Sequence, residues 1–86
     1  MNIIRTKDFE RDLLKLPKEA RRLFGVQKRR FTDNWQDARL HTKKLHGFEI
    51  SVFSFRVTRN WRVLFYFQNK ATVIFFEIDN RKDVYR

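Results

Sequence analysis

A chain of 86 residues has room for one domain, because each of two domains would have a core too small to offset the entropy of ordering the chain. Its 42% hydrophobic residues, among them ten Phe, two Trp and two Tyr, suffice for a packed core and exclude a disordered chain despite 35% charged residues. The absence of Cys excludes disulfides and cysteine nucleophiles, and a net charge of +10 favours a polyanion or an acidic protein as partner.

The hydropathy pattern bears on location. Residues 1–5 carry no long apolar stretch, and no run approaches the roughly 18 apolar residues that a membrane span requires. We therefore expect a soluble, cytoplasmic protein without a membrane partner. A ribosomal protein is the alternative for a short basic chain, but such proteins usually carry basic tails poor in aromatic residues, whereas 16% of this chain is aromatic.

The first part of the chain predicts a short strand and then two helices. Residues 2–5 have the pattern of a strand, and Thr6 is a suitable N-cap for a helix over about residues 7–15. Pro17 fits the first position of a second helix, whose apolar residues recur at helical spacing as far as Phe31. The two helices should form a hairpin with one apolar side.

The rest of the chain predicts a loop and then three strands. Residues 33–49 lack sustained periodicity and predict a loop with a short helical turn around residues 35–40. From Ile50 apolar and polar residues alternate, and short turns would join the strands into an antiparallel meander. The predicted strands cover about residues 50–57, 61–67 and 71–78. The order β-α-α-β-β-β describes a single α+β domain over residues 1–86, an antiparallel sheet with the helical hairpin on one face.

The expected register of the first two meander strands pairs two arginines. A three-residue turn that keeps the apolar side chains of both strands on one face pairs Phe55 with Val63. It then places Arg56 opposite Arg62 on the other, open face, where a like-charge pair costs roughly a few tenths of a kcal/mol. Because paired guanidiniums match phosphate oxygens and keep their charge, this face is a candidate site for a nucleic-acid backbone.

The third strand adds an acid to the open face. If the strand buries Ile74, Phe76 and Ile78, Glu77 lies beside the two arginines. The more common alternative for a charged sheet surface is a solvated polar face, in which Glu77 only neutralises one arginine.

Four short motifs in the second half of the chain occur in an order that resembles a known family. They are Leu45-His46-Gly47, Phe53-Ser54-Phe55-Arg56-Val57, Trp61-Arg62-Val63-Leu64-Phe65 and Asn80-Arg81-Lys82-Asp83-Val84-Tyr85-Arg86. Their order and spacing resemble the RelE/ParE superfamily of type II toxins, and within it the RelE-like mRNA interferases. The element order extends the resemblance over the whole chain.

The resemblance implies a ribosome-dependent, metal-independent endoribonuclease that needs no cofactor. RelE-like toxins bind in the ribosomal A site, cleave mRNA there and block translation, and a cognate acidic antitoxin holds them silent. Arg62 matches the arginine that contacts the scissile phosphate, and Arg81 matches the arginine of the C-terminal motif. Tyr85 matches a tyrosine proposed to stack on the substrate base or to assist proton transfer. Arg56 matches a recurring basic position in the preceding strand.

Two positions depart from the family pattern. Asp79-Asn80-Arg81 stands where family members commonly carry Gly-His-Arg or Gly-Lys-Arg, and Asn80 cannot exchange a proton at neutral pH. The acid–base role of that histidine therefore has no successor at this position. Phe53 replaces a frequent Trp, which is a conservative change within a core.

Metal-independent RNA cleavage needs activation of the 2′-hydroxyl, stabilisation of transition-state charge and a proton for the leaving 5′-oxygen. The arginines suit the second task. The candidates for the base are Glu77, His46 and Tyr85, and we expect neighbouring arginines to keep Glu77 ionised and weakly basic. A metal-dependent nuclease is a poor interpretation, because the only close acids, Glu77, Asp79 and Asp83, lie in a basic setting.

The loop before the sheet supplies further candidates for RNA contact. His41 and His46 flank Lys43 and Lys44, and this loop could fold over the open face. The simpler alternative is that such loop side chains are only solvent-exposed. We assign Lys43, Lys44 and His46, together with Arg56, to RNA or phosphate binding.

The ParE branch offers a competing function. Its members share the fold but inhibit DNA gyrase without catalysis, and they typically lack the arginine and tyrosine set. Arg62, Arg81 and Tyr85 favour the RelE branch, and the alternatives are a ParE-like or other non-catalytic toxin and a general nucleic-acid-binding protein. In either branch, an acidic amphipathic antitoxin segment would cover apolar edges and neutralise the arginines.

Overall fold

The computed structural model describes residues 1–80, in which two helices pack against one five-stranded sheet. The helices are α1 (Lys7–Lys15) and α2 (Lys18–Asp33), and a single 3-10 turn covers Ala38–Leu40. The strands are β1 (Asn2–Arg5), β2 (Lys43–Leu45), β3 (Val52–Arg56), β4 (Trp61–Asn69) and β5 (Thr72–Asn80). The predicted α+β class, with the helices on the sheet, is confirmed. Within the described residues, neither helix has the length and apolar character needed to cross a membrane.

The helix starts follow from local chemistry. Thr6 caps α1, since its Oγ1 accepts a hydrogen bond from the amide of Phe9 at 3.1 Å. Asp8 and Glu10 lie in the first turn of α1, where negative charge is favourable. Pro17 was predicted to be the first residue of α2. In the structure it is the N-cap, and the helix begins one residue later at Lys18.

The strand order in the sheet is β1-β5-β4-β3-β2. The predicted meander of β3, β4 and β5 is antiparallel, but β1 pairs with β5 in parallel, so the sheet is mixed. The additional strand β2 pairs with β3 in the segment predicted to be a loop. The prediction missed β2 because a strand of three residues, two of them Lys, is too short to show alternation of apolar and polar residues. The strand forms by pairing with the edge of β3.

Phenylalanine side chains fill the core between α2 and the sheet. Phe31 is fully buried, and its ring centroid lies 5.2 Å from that of Phe55, 4.9 Å from that of Phe65 and 5.2 Å from that of Phe75. Burial of one such side chain contributes about 1.5–3 kcal/mol. These contacts fix α2 over the centre of the sheet and leave the opposite face, the open face, without helices.

The pairing of β4 with β5 has two irregularities, one between Phe67 and Asn69 of β4 and one at which β5 has an extra residue. Leu64 pairs with Glu77, whereas the next residue of β4, Phe65, pairs with Phe75, so Phe76 is the extra residue of a bulge. A bulge breaks the strict alternation of a strand, and the side chains before and after it follow different parities.

The bulge corrects the predicted core of the third meander strand. Val73, Phe75 and Ile78 face the helices. The prediction that Ile74 and Phe76 lie on that side is wrong, and only Ile78 lies where the alternation placed it. Ile74 is buried on the open face.

Helix α1 covers the edge of β5 that β1 leaves unpaired. The pairing of β1 ends where Arg5 meets Phe75. Beyond this point the amide of Ile78 donates a hydrogen bond to Oδ2 of Asp12 at 3.1 Å. A side chain of α1 thus satisfies an edge amide and closes the edge to other strands.

Candidate nucleic-acid interface

The open face carries Arg56 and Arg62 directly opposite each other on β3 and β4, as predicted. The neighbouring pair, Phe55 and Val63, lies in the core, so the two arginine side chains emerge on the other side of the sheet. Directly opposed side chains of an antiparallel pair lie about 5 Å apart at Cβ. Two guanidiniums are therefore held within reach of one phosphate group.

Asp79 forms an ion pair with one of these two arginines, Arg62. The Nε of Arg62 donates to Oδ1 of Asp79 at 2.8 Å, and its Nη2 donates to Oδ2 at 3.1 Å. The side chains are only 18% and 23% exposed, and the two residues face each other across β4 and β5. Glu77 lies on the same open face, as predicted, but β5 places it opposite Leu64, and the acid that pairs with Arg62 is Asp79. We call Arg56, Arg62 and Asp79 the arginine row.

Arg56 is held differently from Arg62. Within residues 1–80 it forms no ion pair, and its Nε is buried without a hydrogen-bond partner. A buried donor left without an acceptor costs about 1–3 kcal/mol. Arg56 therefore supplies the positive charge in the row that no described acid neutralises.

Gln27 is a buried polar residue that the sequence analysis did not single out. It is 6% exposed and donates through Nε2 to the carbonyl oxygens of Arg56 at 2.7 Å and Arg39 at 3.0 Å. Its Oε1 accepts a hydrogen bond from Nη1 of Arg30 at 2.9 Å. The sequence could have indicated this role, because a glutamine on the apolar stripe of a helix needs hydrogen-bond partners inside the fold.

Glu77 lies on the open face in acidic surroundings. Burial disfavours its charged form and raises the pKa of Glu77 above the ordinary value. The carboxylates of Asp79, Asp12 and Asp8 raise this pKa further, and Arg62 opposes them. The expectation that the arginines make Glu77 a weaker base is therefore wrong, because its pKa is raised rather than lowered.

Strand β2 divides the two predicted loop lysines between the faces of the sheet. Lys43 pairs with Ser54 and lies on the open face, on the same side as the arginine row. Lys44 pairs with Phe53 and faces the other way, where it lines a groove of about 370 Å³ together with Trp35. The segment extends the sheet instead of folding over it, so the structure brings Lys43 to the predicted face and turns Lys44 away.

The two histidines lie at opposite ends of β2. His46 follows β2 beyond the pair of Leu45 and Val52, at the end of β3 that is far from Arg56. His41 precedes β2 at the Arg56 end, is exposed, and has a left-handed backbone with φ 50°. His41 therefore lies at the Arg56 end of β2, but it lines the same groove as Lys44, on the side away from the open face.

Two predicted catalytic residues, Arg81 and Tyr85, lie outside the described residues, and their roles stay predictions. The last described residue is Asn80, which pairs with Trp61. It adjoins Asp79, so the described part of β5 reaches the arginine row.

Beside the arginine row the open face is apolar. Val52, Leu64 and Ile74 are buried on this side of the sheet. Ile4 pairs with Ile74 and is 48% exposed. The open face therefore has a charged end and an apolar end.

Comparisons with known proteins concern the fold. No protein-family model and no curated protein matches the sequence. A chain of the RelB–RelE antitoxin–toxin complex from Methanococcus jannaschii is similar with a TM-score of 0.75 at 24% identity, over 95% of this chain and 94% of that chain. YafQ from E. coli is similar with a TM-score of 0.76 at 12% identity, over 99% and 98% of the two chains. A chain of the RelBE2 toxin–antitoxin complex from Mycobacterium tuberculosis has a TM-score of 0.61 at 29% identity, over 93% and 96%. The chain has the fold of the RelE/ParE toxin superfamily.

Proposed function

We propose that this protein is the toxin of a type II toxin–antitoxin system and acts as a ribosome-dependent, metal-independent mRNA endonuclease. The observation that carries the proposal is the opposed pair of Arg56 and Arg62 on the open face of a sheet with this fold. The net charge of +10 supports a polyanionic substrate. The similar structures include antitoxin–toxin complexes, which supports a cognate antitoxin as partner.

The arginine row supplies stabilisation of transition-state charge. Two guanidiniums from adjacent strands can each donate to the non-bridging oxygens of one phosphate, where charge increases as the 2′-oxygen attacks. Arg56 can bind the phosphate without breaking an ion pair, because it forms none within residues 1–80.

Proton transfer is assigned to two residues. Glu77, with its raised pKa, accepts the proton of the 2′-hydroxyl. Tyr85 stacks on the base or assists the proton transfer to the leaving 5′-oxygen, and Arg81 adds positive charge, as the resemblance implies. Because these acid–base groups are weak, positioning of the mRNA in the ribosomal A site provides much of the rate, and naked RNA is a poor substrate.

The apolar end of the open face suits the antitoxin. Ile4 is exposed there, and Phe48 and Ile50 are 47% and 56% exposed in the loop that follows β2. An acidic amphipathic segment would bury these side chains and neutralise neighbouring cations such as Lys43. The proposal places the protein in the cytoplasm, where mRNA and ribosomes are found.

Primer extension on mRNA from cells pulsed with the protein tests the nuclease. We expect translation-dependent cuts in frame with codons, which are lost in Arg56→Ala and Arg62→Ala. Arg22→Ala is the matched control, because Arg22 is an exposed arginine on α2 that pairs with Glu19 away from the sheet. Growth arrest with intact mRNA would exclude the nuclease.

A ParE-like inhibitor of DNA gyrase is the second candidate. It is favoured by Asn80, which cannot exchange a proton, and by Asp79, which already neutralises Arg62. A supercoiling assay with purified gyrase separates the two functions. Inhibition of supercoiling without mRNA cleavage would establish the ParE-like function.

A further inference from the structure

We propose that the Asp79 carboxylate acts as an internal phosphate mimic, which competes with the RNA backbone for Arg62. The inference rests on the proposed function, because it concerns how the same arginine row binds RNA. Both carboxylate oxygens of Asp79 accept hydrogen bonds from Arg62, from Nε at 2.8 Å and from Nη2 at 3.1 Å. A phosphate binds a guanidinium through the same pair of parallel donors.

The location of the pair makes the competition direct. Arg62 lies between Arg56 on β3 and Asp79 on β5, so its guanidinium has a cation on one side and a carboxylate on the other. Asp79 occupies the edge of the guanidinium formed by Nε and Nη2, so a phosphate that binds Arg62 through this edge must displace the carboxylate. The pair is largely shielded from solvent, with 18% and 23% exposure, so water weakens it less than an exposed ion pair.

The charges around Arg62 favour entry of the phosphate at Arg56. The acids Asp8, Asp12 and Glu77 line one groove, but Arg11 and Lys15 line it too, and Arg11 pairs with Asp8. The Asp79 carboxylate itself repels an approaching phosphate, whereas Arg56 attracts it. RNA therefore engages Arg56 first, and Arg62 exchanges Asp79 for phosphate only when the backbone is held in place.

Removal of the Asp79 charge tests this mechanism. Asp79→Asn should bind a short fluorescein-labelled poly(U) RNA several-fold more tightly in fluorescence anisotropy. Its affinity should also fall more steeply with salt, by about 0.7 in the logarithmic slope for one added phosphate contact to a single strand.

Asp37→Asn is the matched control. Asp37 accepts hydrogen bonds from Arg39 through both oxygens, at 3.0 and 2.7 Å, and the change removes the same charge from an ion pair that includes no residue of the arginine row. An affinity gain for Asp79→Asn no larger than that for Asp37→Asn would overturn the inference, since net charge would then explain it. The gain must also vanish when Arg62→Gln is added to Asp79→Asn, and a gain that persists in this double variant contradicts the mechanism.

A measurement on the wild-type protein covers the case in which Asp79→Asn does not fold. The NMR resonance of the Arg62 Nε–H should shift when poly(U) is added, because its acceptor changes from carboxylate to phosphate, whereas that of Arg39 should not. If the chemical shift of the Arg62 Nε–H does not change at saturating RNA, the inference is wrong. Since binding is measured, absence of mRNA cleavage in cells would count against the proposed nuclease alone.

Discussion

At the scale of single residues, Arg56 and Arg62 face each other across two strands but differ in their partners. Arg62 is held by Asp79, whereas Arg56 has a buried Nε without an acceptor within residues 1–80. A charge that is poorly satisfied in the folded protein is expected where a ligand later supplies the missing acceptor. A substitution that removes the Arg56 guanidinium should therefore stabilise the fold but weaken RNA binding.

Methionine at each position tests this difference. Arg56→Met removes an unsatisfied donor and a like-charge contact, and should raise the free energy of unfolding by about 1 kcal/mol while weakening RNA binding. Arg62→Met leaves the Asp79 carboxylate without this partner and should lower the free energy of unfolding by about 1–3 kcal/mol. Urea unfolding of both variants provides the measurement. An Arg56→Met protein less stable than the wild type would contradict the account of Arg56.

Glu77 gives a pH-dependent prediction. Because its pKa is raised in the folded state, folding favours the protonated carboxyl, and ionisation at neutral pH destabilises the fold. Glu77→Gln should therefore be more stable than the wild type at pH 7. This advantage should shrink as the pH falls through the raised pKa and vanish below the ordinary glutamate pKa. Thermal unfolding across this pH range checks the prediction, and a stability difference independent of pH would refute it.

At the scale of elements, Gln27 connects α2 to the strand that carries Arg56. One side-chain amide binds the carbonyl oxygen at the end of β3 and that of Arg39 in the 3-10 turn. The position of the Arg56 backbone thus depends on a helix on the opposite side of the sheet. The sequence placed Gln27 on the buried stripe of α2, but its partners are 12 and 29 residues away and could not be predicted from local pattern.

Gln27→Leu should leave two partly buried carbonyl groups without their donor and lower the free energy of unfolding by about 1–3 kcal/mol. It should also reduce poly(U) affinity at temperatures where the variant is fully folded, because Arg56 loses its backbone anchor. Thr32→Ala is the control, since the Thr32 hydroxyl bonds only to Lys28 within α2. Unchanged affinity in a folded Gln27→Leu protein would show that Gln27 has a purely structural role.

At the scale of the whole molecule, predictions succeeded where the determining contacts were local. The alternation of β3 and β4 and the tight turn between them sufficed to pair Arg56 with Arg62, because an antiparallel register across a short turn has few alternatives. The Asp79 contact was missed because the predicted third strand ended at residue 78, whereas β5 continues to Asn80 and so includes Asp79. The parallel pairing of β1 was missed because it joins opposite ends of the described chain.

This parallel pairing has a consequence for how the protein folds during synthesis. Asn2 pairs with Thr72 and Arg5 with Phe75, so the first strand made must wait for the last before it has a partner. Contacts of such long sequence separation slow folding, and a nascent chain without β5 lacks both the centre of the sheet and Asp79. A chain with this topology assembles its arginine row only after β5 has been synthesised, so the charged end of the open face forms late in folding.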